Sequence, residues 1–277
     1  MTRREGAVAV AVRGVVVALG AALVGAAGGG APTARAAPEP AAPPLFVALR
    51  SVDPTVLQDM RYATEHNFVG RPVDGYRQPV CLLTRPAARA LHRAQAAMLR
   101  RGYTLKVYDC YRPQRAVDHF VRWAEDLADE RTKAEHYPRV EKARLFADGY
   151  IAARSGHSRG STVDVTLVRL PYAPALPHVP PYGPGAPPAD CAAPAGRRST
   201  DGSVDMGTAF DCFDPLSRTD DPRIQGEPRA HRDLLRAALG AQGFVNLPEE
   251  WWHFTHRPEP FPDTYFDFPV ARRSVAR

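Results

Sequence analysis

Two pairs of residues in this chain have the donor types of a metal centre. His157 and Asp164 are separated by six residues, and Glu250 and His253 flank a pair of tryptophans. A catalytic zinc takes three protein ligands from imidazole and carboxylate donors and leaves a fourth position open. His157 lies in the turn text Ser155-Gly156-His157-Ser158-Arg159-Gly160, and Asp164 follows it in an extended run. A turn running into a strand can aim both side chains at one point, and His253 would complete the set. Spacing alone is weak here, because an Asp bonding a loop beside a surface His reads the same way. In a straight strand Glu250 and His253 would face opposite sides. A bend after Pro248 brings them together and leaves Glu250 off the metal as a proton acceptor, the part Glu plays in HExxH enzymes. Two histidines and one aspartate leave one net positive charge on zinc, enough to lower the pKa of a bound water toward ~7 and polarise a carbonyl. Aromatic walls keep such a site dry and strengthen both effects. One zinc per chain is expected.

Two further residues belong to the chemistry. Arg112, in Asp109-Cys110-Tyr111-Arg112-Pro113, sits where a strand gives way to a helix. A fixed positive charge there suits a tetrahedral oxyanion, or else a plain salt bridge. Asp205, in Val-Asp-Met-Gly-Thr, is either a binding carboxylate or an ordinary turn residue.

These residues need elements to hold them. Residues 161–168 alternate, with Val163, Val165 and Leu167 pointing one way and Thr162, Asp164 and Thr166 the other. Strands are also read at 46–49, 56–62 and 104–109, and a buried strand at 251–255. Thr84 and Pro86 open a helix that Gly102 closes, and Leu91, Ala94, Gln95 and Met98 repeat along it. A second helix starts at Pro113 with Val117, Phe120, Val121, Ala124 and Leu127 on one face. Charged text to about residue 147 reads as more helix, interrupted at Pro138. A third helix spans 228–242. Residues 171–194 hold nine prolines and form a loop. The last ten residues read as a frayed tail. Helices and strands mix without a βαβ rhythm, which predicts one α+β domain around a largely antiparallel sheet.

The chain has 277 residues, 44% of them apolar and 24% charged, an ordinary globular composition. Residues 1–36 read as an export leader: Arg3, Arg4 and Arg13, an apolar run at 14–27, then Ala34-Arg35-Ala36 as a cleavage site. A Pro/Ala linker occupies 37–44, the main domain 45–268 and a tail 269–277. Removing the leader leaves a net charge of only +3 in place of +6, too mild to argue for nucleic acid. No other stretch is apolar enough to span a bilayer, so no stable membrane insertion follows cleavage. Cys81, Cys110, Cys191 and Cys212 form no CxxC pair. In an exported chain they predict two disulfides. Of the three connectivities, Cys81–Cys110 with Cys191–Cys212 is favoured, because each pair closes a loop of about 20–30 residues.

Taken together, SGHSRGSTVDVTL, EWWHF, DCYRP, VDMGTAFD and QDMRYATEHNFVG resemble the D-alanyl-D-alanine dipeptidases, zinc metallopeptidases of peptidase family M15 of the vancomycin-resistance type. The resemblance covers residues 45–268. It implies a compact α+β fold of the hedgehog and DD-peptidase type, with a central, mostly antiparallel sheet flanked by helices. It implies that His157, Asp164 and His253 hold zinc, that Glu250 is the base and that Arg112 serves the transition state. Ser155 falls at the substrate carboxylate, Asp205 at its ammonium, and Tyr62 and Tyr76 near the pocket. The implied reaction is hydrolysis of the small dipeptide D-Ala-D-Ala to free D-alanine outside the cytoplasm. Alternatives are a D,D-carboxypeptidase or endopeptidase acting on peptidoglycan stems, and a non-catalytic zinc-bearing binding domain. Glu250 speaks against the last, since a binding domain needs no proton acceptor. A free dipeptide is charged at both ends, which a binding carboxylate and nearby donors would read. The two disulfides, the leader and the long proline-rich segment depart from the short cytosolic forms.

Overall fold

The alternation of residues 161–168 becomes strand β5 (Thr162–Arg169), which buries both of its faces. The structure is a computed structural model and describes residues 40–172 and 189–275. The leader, the linker up to residue 39, most of the proline-rich segment and the last two residues lie outside the described residues. Within them, β5 is the middle strand of a five-stranded sheet. On one side stand β4 (Tyr103–Asp109) and the short β2 (Leu57–Gln58); on the other stand β7 (His253–His256) and β6 (Phe244–Asn246). Every pairing is antiparallel except β2 with β4. A separate antiparallel pair joins β1 (Phe46–Ala48) to β3 (Leu82–Thr84). The result is the expected α+β domain with a mostly antiparallel sheet.

Helices α2 (Arg85–Leu99) and α5 (Gly226–Gly240) cover the back of the sheet. They pack on Leu105, Val107, Val163, Val165, Leu167 and Phe254. Ala87, Ala90 and Ala94 are wholly buried, so α2 lies close to the strands, and Leu91 and Leu235 fill the space between. Each such leucine contributes about 1.5–3 kcal/mol. Gln95 is buried too, but it is satisfied: its amide donates to Thr104 Oγ1 at 2.8 Å and accepts from Leu105 N at 2.8 Å.

The front carries a second, aromatic core. Helix α3 (Gln114–Glu125) follows Pro113 and inserts Phe120 and Trp123. Their rings meet Phe68 at 4.7 and 5.1 Å, and Phe68 meets Phe213 at 5.0 Å. Two single-turn helices, α1 (Leu49–Val52) and α4 (Lys133–His136), complete the α-helices among the described residues. Gly160 ends the turn before β5 at φ +84°; a Cβ there would sit 2.2 Å from the Phe46 ring.

Several local readings change. Only 57–58 of the expected strand 56–62 pair with β4; the chain then coils at Arg61–Ala63 and drops Tyr62 into the aromatic core. The charged text up to 147 forms only α4 and one 3-10 turn, as Pro138 removes a helical donor between them. Helix α3 stops at Glu125, so Leu127 is exposed and not on its apolar face. Trp251 and Trp252 sit in the turn before β7. The hydroxyl of Thr84 bonds Ser161 Oγ at 2.7 Å and caps nothing. The tail is not frayed through residue 275. Val270 is buried and pairs with Tyr76, and Ser274 O accepts from Ala42 N at 2.9 Å.

Disulfides join Cys81 to Cys110 and Cys191 to Cys212, with separations of 29 and 21 residues. In a chain-entropy account each removes about 3–4 kcal/mol of freedom from the unfolded chain.

Candidate active site

Sheet register brings the first two groups together. Asp164 of β5 lies directly opposite His253 of β7, where facing Cβ atoms are about 4.5–5.5 Å apart. His157 arrives from the turn before β5, and the Ser155 hydroxyl accepts its backbone N–H at 3.3 Å. Glu250 N donates to Leu247 O at 3.0 Å and His253 N to Glu250 O at 3.2 Å. This is the bend expected after Pro248, and it puts Glu250 Oε2 3.4 Å from His253 Nδ1.

Three donor atoms converge. His157 Nε2 lies 3.2 Å from Asp164 Oδ1 and 3.3 Å from His253 Nδ1, which is 3.3 Å from the same oxygen. A tetrahedral ion with bonds of about 2.0–2.1 Å holds its ligands about 3.3–3.4 Å apart. Asp164 Oδ1 is buried with no hydrogen-bond partner, an orphan that a cation would satisfy. The cluster is the candidate metal site among the described residues. The donor set and spacing fit the implied ion.

Surrounding groups fix these donors. His157 Nδ1 donates to the Cys110 carbonyl at 2.7 Å. That bond places the proton on Nδ1 and leaves Nε2 bare toward the centre. A bulge between Val107 and Asp109 sets Asp109, not Tyr108, opposite Asp164. Asp109 then accepts from Tyr76 Oη at 2.6 Å and from Arg112 Nε at 2.9 Å. The Arg112 guanidinium stacks on Tyr62 and Phe120 at 4.9 and 5.0 Å, with Nη2 3.6 Å from Asp164 Oδ2 and Nη1 3.4 Å from Ser155 Oγ.

Charges divide accordingly. Burial opposes ionisation of Asp164, but His157 and His253 outweigh it and hold the carboxyl below its usual range. Burial likewise pushes His253 down, yet the carboxylates of Asp164 and Glu250 beside it push it up to about 9. Burial raises Asp109 against the pull of Arg112 and His157.

The structure does not bring Asp205 to this cluster. Its carboxylate pairs with Arg198 and accepts Gly207 N at 2.8 Å, the turn arrangement. It lines a separate cavity of about 120 Å³ with Arg198, Glu135 and His136, and no member of the triad lines that cavity. Asp211 instead lies within reach of the charges of Asp164 and Glu250. It is buried, at φ +55°, and accepts from Tyr62 Oη at 2.8 Å. Burial, then the charges of Asp164 and Glu250, raise its pKa well above the carboxylate range. Sequence reasoning missed this residue. Asp211 ends the motif that carries Asp205 and precedes Cys212, and the fixed point made by that cysteine was the available signal.

Comparison with known proteins agrees with this geometry. The sequence profile of Peptidase M15, D-ala-D-ala dipeptidase, matches residues 44–173 and 193–271. A D-alanyl-D-alanine dipeptidase of Streptomyces coelicolor is 42% identical over 77% of this chain and 92% of its own length. Enzymes of the same name from Enterococcus faecalis and Enterococcus faecium are 38% and 35% identical, over 77% and 81% of this chain and 92% and 98% of theirs. With matches of this extent and a triad of the right donors at its centre, the chain belongs to the D-Ala-D-Ala dipeptidase family of M15 peptidases.

Proposed function

We propose that this chain hydrolyses free D-Ala-D-Ala to D-alanine, with one zinc ion held by His157, Asp164 and His253. The observation that carries the reading is the convergence of three donor atoms 3.2–3.3 Å apart, with Glu250 3.4 Å from one of them. The names of the relatives point to the same substrate.

Zinc in such a site lowers the pKa of water toward ~7 and polarises the scissile carbonyl. Glu250 takes the proton of the attacking water and passes it to the leaving amine. Arg112, pinned by Asp109 and stacked on two rings, presents a fixed charge to the developing oxyanion. Ser155, beside Arg112, receives the substrate carboxylate. Asp211 takes the ammonium role first given to Asp205. No cation pairs with it among the described residues, and an arriving ammonium would restore its charge. Tyr62 holds Asp211 and Tyr76 holds Asp109. A substrate with a blocked amino end leaves Asp211 buried and unpaired, which selects against longer peptides.

We also propose that residues 1–36 are a cleaved export leader, 37–44 a linker and 45–268 the catalytic domain, extended by the packed residues 269–275. Two buried disulfides support an oxidising destination. Among the described residues no helix is long and apolar enough to cross a membrane.

The test is a hydrolysis assay of the zinc-loaded protein on D-Ala-D-Ala, L-Ala-L-Ala and a stem pentapeptide. Turnover of free D-Ala-D-Ala alone is expected. Equal cleavage of the pentapeptide would make the chain a D,D-carboxypeptidase, and zinc bound without turnover would make it a binding domain.

A further inference from the structure

Each disulfide ends one residue away from a group of the site. Cys110 follows Asp109 and lies two residues before Arg112, and its own carbonyl accepts His157 Nδ1 at 2.7 Å. Cys212 follows Asp211, whose backbone sits at φ +55° and whose carboxylate accepts from Tyr62. A second tie secures the same segment, since Ala209 N donates to Cys191 O at 2.8 Å. All four cysteines are buried. A bridge serving only as a staple can close its loop anywhere along the chain. Here one bridge ends on the backbone residue that sets the tautomer of a metal-site histidine. The other ends beside the carboxylate that faces the triad, in a left-handed conformation that an aspartate does not adopt by default.

We propose that the two disulfides are positioning parts of the active site with separate tasks. Cys81–Cys110 sets the metal half, through His157 and Arg112. Cys191–Cys212 sets the amino-end half, through Asp211. The site is complete only when both are oxidised. The inference rests on the dipeptidase reading above. Each bridge forms when two thiols release two protons and two electrons to a protein disulfide oxidant, which leaves as a dithiol. A chain still in a reducing compartment carries four thiols and an unfinished site, so it spares free dipeptide there.

The experiment compares the oxidised full chain with two double variants, Cys191→Ser with Cys212→Ser and Cys81→Ser with Cys110→Ser. The first should raise KM for D-Ala-D-Ala about tenfold or more at near-constant kcat, with zinc content unchanged. It should also narrow the preference for the free dipeptide over its N-acetyl form. The second should weaken zinc affinity by about 10–100-fold, the usual effect of disturbing the groups behind a metal ligand. Unchanged parameters in either variant, or the two effects exchanged, would overturn the proposal. If the serine pairs do not fold, Cys191→Ala with Cys212→Val and Cys81→Ala with Cys110→Val fill the buried volume without the tether. Unfolding of every such variant would also overturn it, by making the bridges general staples. An oxidised wild type that binds zinc but leaves D-Ala-D-Ala intact would instead sink the functional reading.

Discussion

The two faces of the central strand β5 are buried to the same degree and built on different terms. Behind it, Val163, Val165 and Leu167 meet α2 and α5 through non-directional apolar contact. In front, Thr162, Asp164 and Thr166 of the same strand are equally buried. Yet Thr162 Oγ1 needs Thr255 Oγ1 at 2.9 Å, and Asp164 needs the imidazoles and Arg112 around it. Apolar packing tolerates a change of shape at a cost that scales with the space left empty. A buried polar group that loses its partner keeps its full desolvation cost, and more so if it is charged. Stability should therefore be read mainly from the back and chemistry from the front.

The sharpest way to break this contrast is His253→Ala. It should abolish metal binding and activity together, measured by metal analysis of the purified protein. His256 cannot stand in. Three residues along β7 it faces the back, 5.3 Å from the ring of Phe244. Glu250→Gln comes next: kcat should fall about 10²–10⁴-fold while metal content stays at one ion per chain. An unchanged kcat would remove Glu250 from the proton path. Asp211→Asn should raise KM for the free dipeptide by about tenfold to a hundredfold, the worth of a charged hydrogen bond. Asp205→Asn should leave KM within about twofold, because Arg198 already holds that carboxylate. Steady-state kinetics on the two variants decides between the carboxylates. At the back, Leu167→Ala should cost about 2–5 kcal/mol in denaturant unfolding and leave kcat unaltered. A large loss of kcat there would mean that the faces are not independent.

Much of the front was legible because its signals are local. The alternation of 162–168 sorts Asp164 from its valine neighbours, and Pro248 announces the bend that turns Glu250 toward His253. What stayed hidden depends on distant partners. Asp211 gains its place from Tyr62, 149 residues away, and from a backbone angle that no residue type betrays. The bulge that swaps Tyr108 for Asp109 exists only once β4 pairs with β5. Strand β6 has three residues, too few to show a period. The C-terminal residues read as loose because nothing near them in sequence explains why Val270 is buried; its partner is Tyr76.

One consequence of the alternation in β5 concerns folding fidelity. If β5 slipped by a single residue against β7, every side chain would change faces. Asp164 would enter the hydrocarbon layer beneath α2 and α5, and Val163 or Val165 would stand between the two imidazoles. A misregistered molecule would thus be unstable and inert at once, with no metal and no turnover. Bound metal per chain would then count correctly paired sheets, a proofreading mark carried by the active site itself.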